Sequence, residues 1–92
     1  MQNSIGLFLM TSKGFQVLKS LIDNQYHSLL KVVIIGVDSN IVKDYKEEII
    51  ELCKANYIKY CFREDFISSN YKFKYGIAVS WRWIINIDSI LF

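Results

Sequence analysis

Proline is absent from this chain, and only four of its 92 residues are glycine. A sequence so poor in both carries no flexible or proline-rich linker and no low-complexity segment, so residues 1–92 are expected to form a single domain. Histidine occurs once, as His27, and the two cysteines, Cys53 and Cys61, fall on different expected elements without a CxxC spacing. A structural zinc site takes about four such ligands, so no metal site is expected. The thiols read as reduced and buried, in a cytoplasmic protein. A strong excess of one charge is also missing. The net charge is +2, and Lys31, Lys43, Lys46, Lys54, Lys59, Arg63, Lys72, Lys74 and Arg82 form no single stripe. Nucleic-acid binding through a basic face therefore has little support. No apolar run, Val32–Ile35 included, approaches the ~20 residues of a membrane span. The amino terminus has an apolar core with no basic residue before it, which argues for a buried first strand in place of a signal peptide.

What is present is apolar residue, 52% of the chain, arranged as alternating strands and helices. Ser4–Met10 and Lys31–Val37 are continuous apolar runs without alternation, as in strands covered on both faces. Gly6 marks a point of close approach. Between them Phe15, Leu18, Leu21 and Ile22 recur at helical spacing, with Ser12 as N-cap and Asn24 as a left-handed terminator. Tyr26 and Leu29 are expected to fold onto the core, and His27 to lie at the surface. A second helix over about 42–56 carries Val42, Tyr45, Ile49, Leu52 and Cys53 on one stripe. Ile58–Phe62 and Tyr75–Ser80 read as a third and fourth strand, and Ser89–Phe92 as the opening of a fifth. This order implies an α/β fold, a Rossmann-like three-layer parallel sheet of four to five strands with right-handed crossovers. Strand one is expected in the middle, with strands two and three to one side and four to the other.

The densest chemistry lies in Gly76–Ile85. Small residues Gly76, Ala78 and Ser80 suit a strand at a crowded sheet centre, and Trp81-Arg82-Trp83 follow it. Beyond the carboxyl end of a parallel strand, such a triplet makes an apolar ligand wall with one charge; the other reading is a loop packed on the core. Other chemistries find no set. The turn Thr11-Ser12-Lys13-Gly14 has one glycine, too few for a dinucleotide cradle. Asp38 and Asp65 match an acidic phosphoacceptor cluster weakly. His27 stands far in sequence from Ser80 and Cys61, so no nucleophile–base pair and no catalytic residue is assigned.

The ordered segments LFLMTSKGFQVLKSLIDN, KVVIIGVDSN, ELCKANYI, GIAVSWRWII and SILF resemble the amino-terminal part of the formyltetrahydrofolate-dependent formyltransferase family, over nearly the whole chain. The resemblance implies a Rossmann-like domain that carries N10-formyltetrahydrofolate. It implies that Ser80, Trp81, Arg82, Trp83 and Ile84 line the pterin pocket, and that Ser12, Lys13 and Gly14 lie where the acceptor enters. Among the family's branches, the short connection Asp38–Val42 is most similar to that of enzymes acting on nucleotide-linked amino-sugars. The initiator-tRNA branch has a longer basic loop there, and the purine branch a glycine-rich phosphate loop after strand one. The family's catalytic Asn-x-His-Pro stretch and later Asp have no counterpart in this sequence.

Two functions follow as expectations. One is the donor-binding part of an N-formyltransferase, truncated before its catalytic motif and inactive alone. The other is a non-catalytic small α/β binding or interaction module. The apolar residues Ile87, Ile90, Leu91 and Phe92 beside an open sheet edge imply self-association.

Overall fold

A computed structural model describes residues 4–37, 44–66 and 71–81. In chain order the elements are β1 (Ile5–Leu9), α1 (Thr11–Asp23), a single 3-10 turn (His27–Leu29), β2 (Leu30–Ile35), α2 (Lys46–Ala55), β3 (Tyr60–Phe62), the short α3 (Arg63–Phe66) and β4 (Tyr75–Val79). All strand pairs are parallel, and the sheet order is β3-β2-β1-β4. The α/β, Rossmann-like architecture and the strand order match the sequence expectation. The expected fifth strand, 89–92, lies outside the described residues.

The two central strands are apolar throughout because each face of the sheet has its own core. Leu7 and Leu9 of β1 and Val33 and Ile35 of β2 face α1 and α2, where they meet Leu18, Ile49, Cys53 and Ile58. Phe8, Val32 and Ile34 face the other way and meet Phe66 and Phe73. That second layer is aromatic and thin. Phe8 holds Phe66, Phe73 and Trp81 in edge-to-face contact at centroid distances of 5.4, 5.9 and 5.3 Å. Burying such a ring contributes about 1.5–3 kcal/mol, so a few aromatics cover a face that would otherwise need a long helix. Gly6 makes this possible: a side chain there would overlap the Phe73 ring. The close approach expected at Gly6 is thus by a residue of the segment leading into β4.

Several local expectations are corrected. Ser12 is not the cap of α1. The helix begins two residues earlier than that cap implies, Met10 holds the cap position with no side-chain cap bond, and Thr11 turns the chain through φ 66°. Asn24 is not left-handed (φ −95°). Its side-chain Nδ2 instead donates to the Ser20 carbonyl at 2.8 Å, and Gln25 takes the left-handed position. Tyr45 precedes α2 with φ 61°, and Val42 lies outside the described residues. Tyr26 does not fold onto the core; it is 57% exposed. β4 is not a sheet centre but the end of the described sheet, with Tyr75–Ala78 exposed. Its small residues instead accompany a crowded crossing, for Gly76 is the register partner of Gly6, the residue beneath the Phe73 ring.

Candidate functional site

Parallel pairing brings the carboxyl ends of all four strands to one side. The chain order reverses between β1 and its neighbours β2 and β4, which makes the gap between β1 and β4 the switch point where an open α/β sheet offers a crevice. Leu9 pairs with Val79 at the end of that ladder. The chain then departs in two directions. After β1 it turns at Thr11 into α1, on the Leu7/Leu9 face. After β4 it turns at Ser80, φ 57°, and Trp81 packs on Phe8, on the opposite face.

Thr11 and Ser80 both hold left-handed backbone. For a β-branched residue such as threonine this conformation is an outlier. It is held here by its surroundings. The Thr11 N–H donates to the Asp44 carbonyl at 3.2 Å, and the Asp44 carboxylate accepts the Lys46 N–H at 3.0 Å. Asp44 thereby ties the start of α1 to the start of α2, and Phe15 contacts Tyr45 beside it at 5.7 Å. Gly14, one turn into α1, lies against Leu9, where a Cβ would come within 3.0 Å of the Leu9 Cβ. Glycine lets the first turn of α1 sit on the end of β1.

The residues singled out in the sequence fall as follows. Ser12 is half-buried, Lys13 exposed and Gly14 buried, all in the first turn of α1. Ser80 is exposed and Trp81 half-buried, directly past β4. The fold brings these two groups to the ends of adjacent strands. Arg82, Trp83 and Ile84 lie outside the described residues, as does Asp38. Asp65 is exposed on α3.

Neither thiol lies on β1, β4 or the turns that follow them. Cys53 is buried in the helix-side core, and burial pushes its pKa from 9.0 to about 12. Cys61 is half-buried on the other face; burial, then the nearby Asp65 carboxylate, push it to about 11. Both are free and protonated at neutral pH, which removes them as nucleophiles. No group of three or more metal-ligating side chains occurs among the described residues. Among the same residues no helix is long and apolar enough to cross a membrane.

A second concavity went unseen in the sequence. It has a volume of about 250 Å³ and is lined by His27, Ser28, Leu30, Lys31, Asn56, Tyr57, Ile58 and Lys59. It sits at the opposite, amino-terminal end of β2 and β3. His27, expected at the surface, has its Nδ1 buried there without a hydrogen-bond partner. Its lining comes from two stretches far apart in sequence, 27–31 and 56–59, so no local spacing in the sequence signals it.

No family model, no curated protein and no solved structure matches the chain.

Proposed function

We propose that the crevice between the carboxyl ends of β1 and β4 binds a small ligand, and that the ligand is a reduced folate of the N10-formyltetrahydrofolate type. The observation that carries this reading is the placement of Thr11–Gly14 and Ser80–Trp81 directly after the carboxyl ends of adjacent strands. Two segments chosen for their chemistry leave adjacent parallel strands toward opposite faces, each through a left-handed residue. Backbone held in such conformations concentrates at ligand sites, and Trp81 beside the crevice offers part of an aromatic wall. The sequence resemblance supplies the folate. On the same reading Ser12, Lys13 and Gly14 stand toward an acceptor such as a nucleotide-linked amino-sugar.

The role is confined to donor binding. Removing a proton from an attacking amine requires a base within hydrogen-bonding reach, and the sequence has no counterpart of the family's Asn-x-His-Pro stretch. The second reading, a non-catalytic α/β module in which Trp81 is core packing, is favoured by one observation: the indole meets Phe8 edge to face at 5.3 Å.

Tryptophan fluorescence titrated with a stable reduced-folate analogue separates the two. Donor binding is expected to quench with a dissociation constant on the order of 0.1–1 mM, and Trp81→Phe to remove much of the signal. No formyl transfer to a nucleotide-linked amino-sugar is expected. Absence of quenching in the parent, Trp81→Phe and Trp83→Phe alike selects the packing role.

A further inference from the structure

We infer that the concavity at the amino-terminal end of β2 and β3 is a site for a dianionic phosphate carried by a small molecule. It is separate from the crevice above, at the other end of the same strands. Lys31 and Lys59 line it together with His27, Ser28, Asn56 and Tyr57, and no carboxylate does. Neither lysine has an ion-pair partner among the described residues. Two ammonium groups gathered around one hollow repel each other, and an anion between them relieves that repulsion. Lysine offers only donors, which matches a ligand made of acceptors.

Two features of the backbone aim these residues. The β1–β2 register runs Ile5 to Leu30 and then Gly6 to Val32. Lys31 is therefore left without a register partner on β1, at a shift of the kind by which a strand re-aims a side chain. Tyr57 follows α2 at φ 57° and is 97% exposed. A tyrosine that buries nothing and holds a conformation suited to glycine has no packing reason to be there. On the rim of the hollow it is placed to stack on a planar group attached to the phosphate. The buried, partnerless Nδ1 of His27 adds an unmet polar group to the same wall. A volume of about 250 Å³ is at the small end for ligand pockets, right for a phosphate and a short attachment.

The test is an amide-shift titration of the labelled chain with inorganic phosphate and with adenosine 5′-monophosphate, near neutral pH at constant ionic strength. Saturable shifts confined to residues 27–31 and 56–59 are expected with both. Lys31→Gln with Lys59→Gln is expected to weaken both by about tenfold or more, with the remaining spectrum unchanged as the check on folding. Tyr57→Gly keeps the turn and is expected to weaken the nucleotide about fivefold or more while leaving inorganic phosphate unaffected. Equal affinity for the two anions, indifferent to Tyr57→Gly, assigns the site to free phosphate. Shifts that do not saturate, that spread equally to Lys13, Lys19 and Lys74, or that survive the double lysine substitution overturn the inference.

Discussion

Five described residues other than glycine hold left-handed backbone, namely Thr11, Gln25, Tyr45, Tyr57 and Ser80, and no glycine does. The scarcity of glycine has this consequence: Gly6 and Gly14 are spent on close contacts, and the turns are made by other residues. The helix ends show how. In α1 the Gln25 N–H donates to the Ile22 carbonyl at 3.0 Å and the Tyr26 N–H to Leu21 at 2.8 Å; in α2 the Tyr57 N–H donates to Lys54 at 3.4 Å and the Ile58 N–H to Cys53 at 2.9 Å. This is the Schellman closure, which usually places glycine at the left-handed position. Asn24 and Asn56 reinforce it by donating their side-chain amides to the carbonyls of Ser20 and Leu52. Left-handed backbone costs a side-chain-bearing residue about 1–2 kcal/mol, and glycine returns part of that through its extra freedom in the unfolded chain. Gln25 is exposed, so Gln25→Gly removes no packing. It is expected to stabilise the protein by about 0.5–1 kcal/mol, read as a raised urea midpoint; an unchanged or lowered midpoint contradicts the account.

At the scale of elements, β4 differs from its neighbours. β1 and β2 are paired on both sides and buried on both faces, whereas Ile77 and Tyr75 of β4 are 44% and 45% exposed. A strand with exposed apolar side chains at the end of a sheet recruits further strands or copies. Self-association rising with concentration is expected by sedimentation, and Ile77→Lys is expected to reduce it while leaving the fold intact. A parent that stays monomeric at high concentration, or associates equally with Ile77→Lys, rules out this role for β4. The contrast also explains what was legible in advance. Lys31–Val37 and Ser4–Met10 announce themselves because two-sided burial leaves no polar positions, and their alternation with helical stripes determines a parallel sheet. β4 stands beside β1 as expected, but its small residues do not mark a sheet centre: they suit the underside of a ring equally well, and only the fold brings Phe73 over Gly6. The start of α1 was misread because Asp44, thirty-odd residues away in sequence, holds Thr11 in its turn.

For the molecule as a whole, two kinds of site information differ in their reach. Ser80–Trp81 and Thr11–Gly14 are contiguous, so composition could single them out. The His27–Lys31–Lys59 hollow is assembled from separate stretches and has no sequence signature. The cysteines lie between these cases, since their burial was readable but not its consequence at high pH. Cys53 belongs to one core and Cys61 adjoins the other, so both layers of the sheet resist ionisation of a thiol. The native pKa values, about 12 and about 11, stand above the ordinary 9.0. Below pH 9.0 both thiols are neutral in folded and unfolded chains, and their contribution to stability is fully present. Above it the unfolded chain loses these protons first, binds fewer than the native state, and stability falls as pH rises toward the native values. Other groups also lose protons at alkaline pH, so the comparison must be internal. Cys53→Val keeps an apolar side chain in the core and removes the titrating group. The denaturant midpoint of the parent is expected to drop more steeply between pH 9 and 11 than that of Cys53→Val, with Cys61→Val showing a smaller relief. Both thiols are expected to resist alkylation at pH 8 until denaturant is added. Parallel midpoint curves for parent and Cys53→Val would show that ionisation of that thiol does not set the alkaline limit of this fold.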